Sequence, residues 1–220
     1  MPHFIQVNLH KAELATVLLG QKLEGRAECI ALLTEPHTVA QRITGMPKKT
    51  KIICPKNCNT QPRAGILYSS DLHVTALDSL CHRDCAVGLT TINGKRTLLA
   101  SIYLDIKKSP VPQWLLKLVE LAEDKGWAVI LGMDSNAHSC LYGPDTNQRG
   151  EELEDFILAN SLSVENYGQT PTFQINRGNH QIGTHIDVTL SRDLTNPIKD
   201  WAVCNAVSYT HLTLPTTPYV

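Results

Sequence analysis

The sequence predicts one α/β domain in which two stacked β-sheets form a sandwich flanked by helices. Three observations favour this class: many short apolar strands are interspersed with a few helices, no Gly/Ser-rich linker divides the 220 residues, and no internal repeat is present. A chain of this length buries roughly 70% of its unfolded surface, which supplies a core without disulfide bonds. The composition, 42% hydrophobic and 19% charged, excludes a disordered chain.

The amino-terminal part begins with a strand, a helix and a second strand. Residues 4–9 show β-type alternation, and residues 11–24 carry an apolar stripe at helical spacing. Residues 29–33 are a short apolar run, typical of a buried strand. This strand ends at Thr34-Glu35-Pro36, because a proline stops regular structure. The stretch that follows is predicted to be mostly loop.

The rest of the chain predicts further strands and two helices. The helices are expected over residues 111–125, where Gly126 fits the end of the helix, and over residues 151–160. The dipeptide Asn93-Gly94 predicts a tight hairpin turn between two of the strands. The strands are expected near residues 65–68, 72–77, 85–92, 96–104, 128–132, 162–165, 172–175, 186–191 and 201–203.

The charge is near zero on average but unevenly distributed. The formal net charge is −1, which excludes a simple polybasic nucleic-acid binder. Residues 36–70 contain no Asp or Glu and carry six basic residues: Arg42, Lys48, Lys49, Lys51, Lys56 and Arg63. This basic segment is either a loop that grips phosphate groups or an ordinary solvated loop.

Neither a membrane span nor a secretory signal is visible, and the cysteines suggest a reducing environment. No apolar run approaches 18 residues, and the first residues lack a basic and an apolar region. The seven cysteines are therefore expected to be reduced thiols of an intracellular protein. The pairs Cys54/Cys58 and Cys81/Cys85, near His73 and His82, leave a zinc site as an alternative, but ordinary cysteines are favoured.

Several polar residues occupy positions at the ends of the apolar strands. Carboxylates, amides and a phenol that share one cleft suit metal-assisted phosphate chemistry, because Mg²⁺ prefers oxygen ligands and keeps waters. Taken singly, such residues are more often strand ends or turn formers. The positions are Asn8, Glu35, Tyr103, Asp134, Asn136 and Asp187.

In their order and local sequence these residues resemble the exonuclease–endonuclease–phosphatase superfamily. More narrowly, residues 4–207 resemble the apurinic/apyrimidinic-type endonuclease domain of non-LTR retrotransposons. The most specific matching segments are Gly132-Met133-Asp134-Ser135-Asn136-Ala137-His138-Ser139, Pro171-Thr172-Phe173 and His185-Ile186-Asp187-Val188-Thr189-Leu190-Ser191. Further matches are Gln6-Val7-Asn8-Leu9, Leu33-Thr34-Glu35-Pro36, Ala100-Ser101-Ile102-Tyr103, Arg149-Gly150 and Asn166-Tyr167-Gly168. The resemblance implies the DNase I-like fold, a two-sheet sandwich with its cleft at one sheet edge.

The resemblance also implies a divalent metal, Mg²⁺ or Mn²⁺, and a reaction centre. Glu35 would be the main metal ligand, assisted by Asn8. Asp134 would orient and deprotonate the attacking water. These groups suit phosphodiester hydrolysis, which needs an activated water and neutralised charge on the phosphate.

Further site residues are implied in the same way. Tyr103 would hydrogen-bond the scissile phosphate, and Asn136 would hold a phosphate oxygen. Asp187 would accept a hydrogen bond from a catalytic histidine near the carboxyl end. The candidate DNA contacts are Lys48, Lys49, Lys51 and Arg63 of the basic segment, His138 and Ser139 shortly after Asn136, and Thr172 and Phe173 at the rim.

The carboxyl end departs from the family pattern. The family closes its site with a Ser-Asp-His sequence, which this chain lacks. His211, preceded by Thr210, is either the catalytic histidine beside a lost carboxylate or part of a junction that replaces the native end. The junction is favoured, so the endonuclease domain is predicted to span residues 1–207 and residues 208–220 to be an atypical tail.

The resulting hypothesis is a metal-dependent endonuclease that nicks DNA inside the cell, in the nucleus. The 3′-hydroxyl at the nick would prime the reverse transcriptase of the same polyprotein, and the domain is expected to be a monomer with no membrane partner. One alternative is a catalytically impaired remnant that folds and binds DNA without cutting it. Another is a superfamily phosphodiesterase or phosphatase with a different substrate.

Overall fold

The computed structural model describes residues 2–23, 26–46, 48–56, 58–177 and 180–203. Within these residues the helices are α1 (Glu13–Leu23), α2 (Gln113–Asp124) and α3 (Gln148–Ala159), with one 3-10 helix at Asp78–Leu80. The strands, numbered in chain order, are β1 (His3–Asn8), β2 (Cys29–Thr34), β3 (Thr38–Val39), β4 (Arg42–Ile43), β5 (Thr50–Ile53), β6 (Ala64–Ser69), β7 (Thr75–Ala76), β8 (Cys85–Ile92), β9 (Lys95–Tyr103), β10 (Ala128–Asp134), β11 (Ser163–Val164), β12 (Phe173–Arg177), β13 (His180–Thr184) and β14 (Asp187–Arg192).

The first sheet has four strands in the order β1-β2-β6-β5. Strand β1 is parallel to β2, whereas β6 is antiparallel to both β2 and β5. Helix α1 covers the outer face of this sheet, where Leu19 packs with Ala31 and Leu33. Leu32, between those two, belongs to the core on the other face. Both faces of β2 are therefore buried, which explains why its sequence is a continuous apolar run.

The second sheet has six strands in the order β11-β14-β10-β9-β8-β7. Strands β9 and β10 are parallel, and the other neighbouring pairs are antiparallel. Helices α2 and α3 cover the outer face, where Leu115 and Leu153 pack with Leu131. Asn93 and Gly94, with φ of 49° and 79°, join β8 to β9, and this confirms the predicted hairpin turn.

The two sheets pack face to face, so the molecule has four layers: α1, the first sheet, the second sheet, and α2 with α3. Leu32 and Ile66 of the first sheet share the inner core with Leu99 and Ile130 of the second. The sheets approach closely at Gly132, where an added Cβ would lie 2.7 Å from a Leu32 methyl group. Only a residue without a side chain fits there, because core packing leaves no room to adjust.

Two predicted strands differ in the structure. Residues 201–203 are not a strand; instead the Trp201 indole donates a hydrogen bond to Thr189 Oγ1 at 3.1 Å. Of residues 72–77 only Thr75–Ala76 is a strand, because the chain turns first. The segment predicted to be mostly loop also contains the short strands β3, β4 and β5. Apolar alternation identifies buried residues but not which of them find a neighbouring strand.

The described cysteines carry free thiols. The thiols of Cys54 and Cys81 donate to the carbonyls of Gln41 and Val87. Over the described ranges, no group of three or more His, Cys, Asp or Glu side chains is placed to hold a metal ion. No helix in that part of the chain is long and apolar enough to cross a membrane. Residues 208–220 lie outside the described residues, so the predicted boundary after Val207 stays a prediction.

Candidate active site

Polar side chains of the two sheets meet at one edge of the sandwich, which we call the site edge. Asn8 is the last residue of β1 and Asp134 the last residue of β10, and the Asn8 Nδ2 amide donates to Asp134 Oδ2 at 2.6 Å. Within the second sheet, Asp134 is paired with Tyr103 of β9 and with Asp187 of β14. Four of the residues predicted at strand ends therefore share one cleft.

Glu35 follows β2 directly and is held at the same edge by its main chain. Its N–H donates to the Arg63 carbonyl at 2.8 Å, and its carbonyl accepts from Lys11 N at 2.7 Å. The Lys11 ammonium also lies 3.1 Å from Glu35 Oε1, and the Glu35 side chain is 17% exposed.

His10, Lys11, Glu35 and Asn136 all have φ between 45° and 57°. This left-handed conformation is unfavourable for such residues and concentrates at functional sites.

Asp134 is the most deeply buried acid of the cleft, with 2% of its surface exposed. Its Oδ1 is buried and has no hydrogen-bond partner among the described residues. Burial raises the pKa of Asp134 to about 6; the hydrogen bond from Asn8 opposes this rise, and the negative charge of Glu35 adds to it. A carboxylate with a pKa in this range can accept a proton near neutral pH.

Asp187 presents a second carboxyl oxygen, Oδ1, that is buried and unpartnered within the described ranges. Burial, followed by the neighbouring charge of Asp134, raises the pKa of Asp187 well above its usual value. The Thr172 hydroxyl accepts from the main-chain N–H groups of Ile186 and Asp187 at 3.2 and 3.1 Å. His211, the predicted partner of Asp187, lies outside the described residues.

Asn136 sits in the loop that follows β10, and a neighbouring arginine fixes this loop. Asn136 Nδ2 donates to the Leu104 carbonyl at 3.1 Å. The Arg149 guanidinium donates to the carbonyls of Ser135, Leu104 and Lys108 at 3.2, 3.3 and 2.5 Å. The sequence predicts no role for Arg149 beyond its place in a matching segment, although an arginine at the start of α3 is an available signal.

Tyr103, the last residue of β9, lies against a buried arginine. The Arg63 guanidinium carbon is 4.1 Å from the centre of the Tyr103 ring. Burial raises the pKa of Tyr103, the charges of Glu35 and Asp134 raise it further, and Arg63 opposes the rise. The phenol is therefore neutral near pH 7 and can donate a hydrogen bond.

Among the candidate DNA contacts outside the basic segment, Ser139 differs from the other three because it is buried. Thr172 and Phe173 lie near the cleft, and the Phe173 ring is 5.4 Å from that of His10, two residues after Asn8. His138 bonds Asp145 at 3.0 Å. Ser139, by contrast, is fully buried and donates to a Glu154 oxygen at 2.7 Å, so it holds the loop together.

The basic segment is divided by the fold. Thr50 pairs with Ser69, whose hydroxyl contacts Cys29 at the start of β2. Strand β2 is six residues long, so this end of the sheet lies about 17 Å from Glu35. Lys48, Lys49 and Lys51 thus lie at the end of the sandwich opposite the site edge. Arg63 lies at the site edge but is only 8% exposed and is ion-paired with Asp84 and Asp105.

The donors at the site edge fit a hard divalent cation. Glu35 offers a carboxylate and Asn8 an amide oxygen, which already accepts from His10 N at 2.8 Å. Mg²⁺ usually binds one or two protein carboxylates plus waters and substrate phosphates, so such a small set is sufficient. The Lys11 ammonium beside Glu35 shows that this carboxylate attracts a cation. Asp134 Oδ1 and Asp187 Oδ1, which lack hydrogen-bond partners among the described residues, are further oxygen donors at the same edge.

Comparisons with known proteins bear on the family and the fold of the chain. The profile of the family described as endonuclease-reverse transcriptase matches residues 97–214, more than half of the chain. No curated protein matches the chain by sequence. Among solved structures, the endonuclease domain of TRAS1, a telomere-specific non-LTR retrotransposon, is similar with a TM-score of 0.72 and 25% identity, over 86% of this chain and 84% of that one.

Two more distant structures share the fold alone. An AP endonuclease from Leishmania major has a TM-score of 0.63 at 11% identity, over 86% of this chain and 78% of its own. A mannosyl-6-phosphatase from Bacteroides thetaiotaomicron has a TM-score of 0.60 at 15% identity, over 87% and 85%. The sandwich predicted from the sequence, the DNase I-like fold of exonucleases, endonucleases and phosphatases, is confirmed.

Proposed function

Since the chain belongs to the endonuclease-reverse transcriptase family, within the exonuclease–endonuclease–phosphatase superfamily, we propose that it is a divalent-metal-dependent endonuclease that nicks DNA. The nick would leave a 3′-hydroxyl, from which a reverse transcriptase of the same polyprotein starts synthesis in the nucleus. The observation that carries the proposal is the 2.6 Å contact between Asn8 and Asp134, which joins the ends of two strands from different sheets beside Asp187.

The protein groups divide the work of phosphodiester hydrolysis. Asp134, buried and with a raised pKa, orients the attacking water and accepts its proton. The Tyr103 phenol and the Asn136 amide donate to the oxygens of the scissile phosphate, where negative charge develops. Asp187 orients the imidazole of a histidine and keeps it protonated, so that the imidazole can protonate the leaving oxygen. His211 is the candidate for this histidine.

Glu35 and Asn8 would hold the metal, for which Mg²⁺ or Mn²⁺ is the candidate. The bound cation would neutralise charge on the phosphate and stabilise the leaving oxygen. The Lys11 ammonium lies 3.1 Å from Glu35 Oε1, where the metal would bind. Lys11 would therefore have to turn away to make room for the metal. Lys11 then becomes free to contact a neighbouring phosphate.

A plasmid nicking assay tests the proposed function. The purified chain should convert supercoiled plasmid to the nicked circle with Mg²⁺ or Mn²⁺ and not with EDTA, and a DNA polymerase should extend the nick. Glu35→Gln and Asp134→Asn should each abolish nicking. Glu120→Gln, which changes an exposed carboxylate on α2, is the matched control and should nick normally. Activity that survives both site substitutions would contradict the assignment.

A second candidate is a domain that binds DNA without cutting it. It is favoured by the missing Ser-Asp-His sequence and by Asp187 Oδ1, which lacks a partner in the described part of the chain. Fluorescence anisotropy with a labelled duplex should then show binding that weakens with salt, while the plasmid stays intact. If the chain does not bind DNA even at low salt, this candidate fails.

A further inference from the structure

One charged side chain at the site edge has no role in the proposed reaction. Arg63 precedes β6 and its side chain is 10% exposed. Its Nε donates to Asp84 Oδ1 at 2.6 Å, and one terminal nitrogen donates to Asp105 Oδ2 at 3.0 Å. The two carboxylates come from the segments on either side of the β8–β9 hairpin, so this cluster of three charges links the first sheet to the second.

The surroundings of Arg63 argue against direct contact with DNA. A guanidinium offers its donors in a fixed planar fork, and here two carboxylates take up two sides of that fork. To reach a phosphate, Arg63 would have to leave the buried ion pair with Asp84 and the partly buried one with Asp105, which is costly. Lys108 and Arg83, each 4.0 Å from Asp84, are the more exposed cations at this place.

Arg63 contacts two parts of the proposed reaction centre, one through its side chain and the other through its main chain. Its guanidinium carbon lies 4.1 Å above the ring of Tyr103, a distance typical of a cation–π contact. Its carbonyl accepts the main-chain N–H of Glu35 at 2.8 Å. The Tyr103 N–H in turn donates to the Asp84 carbonyl at 2.9 Å. The cluster of Arg63, Asp84 and Asp105 therefore fixes both the Tyr103 ring and the end of β9.

We propose that Arg63 is a positioning residue: clamped by Asp84 and Asp105, its guanidinium fixes the ring plane of Tyr103. The Tyr103 hydroxyl is thereby aimed at the place where the scissile phosphate binds. The proposal rests on the proposed function for its kinetic consequence, whereas the restraint on the ring is a property of the folded chain itself. Misplacing a group that contacts the reacting phosphate slows the reaction more than it weakens binding.

The kinetic test compares Arg63→Lys with the parent chain in the plasmid assay with Mg²⁺. Lysine keeps the charge but loses the planar fork and the stacked contact. We expect kcat to fall about 10- to 100-fold while KM for DNA and its salt dependence stay unchanged. A change in KM and salt slope with kcat intact would identify Arg63 as a phosphate contact and would overturn the proposal.

A double-mutant cycle separates positioning from general destabilisation. Tyr103→Phe keeps the ring and removes the hydroxyl. In that background Arg63→Lys should lower kcat by less than about twofold, because the group it positions is gone. An equal loss in both backgrounds would mean that Arg63 acts elsewhere. If Arg63→Lys fails to fold, Asp105→Asn replaces it, since it loosens only the more exposed carboxylate and should show the same dependence on Tyr103.

A spectroscopic readout makes the proposal independent of cleavage. In chain labelled with ¹³C in its tyrosine rings, Tyr103→Phe identifies the Tyr103 signals. Arg63→Lys should shift these signals and leave in place those of Tyr68, a residue of β6 whose hydroxyl donates to the Val74 carbonyl. Unmoved Tyr103 signals would overturn the proposal. If the parent chain does not nick but the shift is seen, the proposed function fails and the positioning role stands.

Discussion

Two clusters of buried charge lie side by side at the site edge and are built in opposite ways. In the first, Arg63 is paired with the carboxylates of Asp84 and Asp105 at 2.6 and 3.0 Å. In the second, Asp134 and Asp187 are paired across β10 and β14, and each keeps one buried oxygen without a partner among the described residues. Each charge of the first cluster has a partner of opposite sign, and we call it the compensated cluster. The two acids of the second cluster have no such partner among the described residues.

The difference separates stability from chemistry. A buried charge that has its partners holds elements together, and removing one partner leaves the other uncompensated. A buried carboxylate without a partner destabilises the fold and is retained where it binds a proton, a cation or a substrate. We therefore expect the largest losses of stability from substitutions in the first cluster and the largest losses of activity from substitutions in the second.

The largest effect is expected at Asp134. Asp134→Asn keeps the size of the side chain and removes its capacity to accept a proton, so nicking should fall about 10²- to 10⁴-fold. The free energy of unfolding, measured by urea titration, should not decrease, because a buried carboxylate that lacks a partner on Oδ1 becomes neutral. A large loss of stability would show that Asp134 also holds the fold together, and the two clusters would then no longer differ in this respect.

The compensated cluster should respond in the opposite way. Asp84→Ala deprives Arg63 of its 2.6 Å partner and should lower the free energy of unfolding by roughly 3 kcal/mol. The matched control is Asp78→Ala, which breaks the exposed ion pair with Lys56 and should change stability by less than about 1 kcal/mol. Equal values for the two variants would show that burial does not distinguish the pairs.

A smaller effect is expected from His82, beside the compensated cluster. Burial lowers the pKa of His82, the Asp84 charge partly opposes this, and Nε2 has no partner in the described part of the chain. The unfolded chain therefore binds the proton first, so the stability contributed by neutral His82 is present above pH 6.5 and is lost as the pH falls. His82→Phe should reduce the difference in unfolding free energy between pH 7.5 and pH 5.5, and an unchanged difference would exclude His82 as its source.

The smallest effect is expected at the opposite end of the sandwich. Replacing Lys48, Lys49 and Lys51 together by Gln should change DNA affinity at physiological salt by less than about twofold, since they lie far from Glu35. Replacing Lys107 and Lys108 at the site edge by Gln should weaken binding more and reduce the salt slope by about 1 to 2. Anisotropy titrations at several salt concentrations distinguish the two sets.

The sequence predicted most of the fold because apolar runs report burial directly. Strands β2 and β10 are buried on both faces, so each is a continuous apolar run that can be recognised in the sequence together with the polar residue at its end. Asn8, Asp134 and Asp187 came together because each stands at a strand end, and the resemblance had placed them in order. The strand predicted over residues 201–203 was wrong, since an apolar residue there contacts the sheet through a side chain alone.

What the sequence did not reveal depends on pairing between distant segments. Arg63 was grouped with the lysines of a basic loop, because nothing local shows that its partners stand 21 and 42 residues later. Lys49 and Glu35 are 14 positions apart, yet the order β2-β6-β5 sends them to opposite ends of the sheet. Sheet order and register are set by the whole fold, so charge counted along the chain does not report charge in space.

The contact between Asn8 and Asp134 spans 126 positions of the chain, and this distance has a consequence during synthesis. A ribosome that has just added residue 130 has already made Asn8, Glu35 and Tyr103, but the acid that completes the cleft does not yet exist. Contacts between such distant residues also form late in folding. A chain that ends before Asp134 and Asp187 is therefore unable to assemble the centre, and the proposed endonuclease activity requires that both sheets have closed.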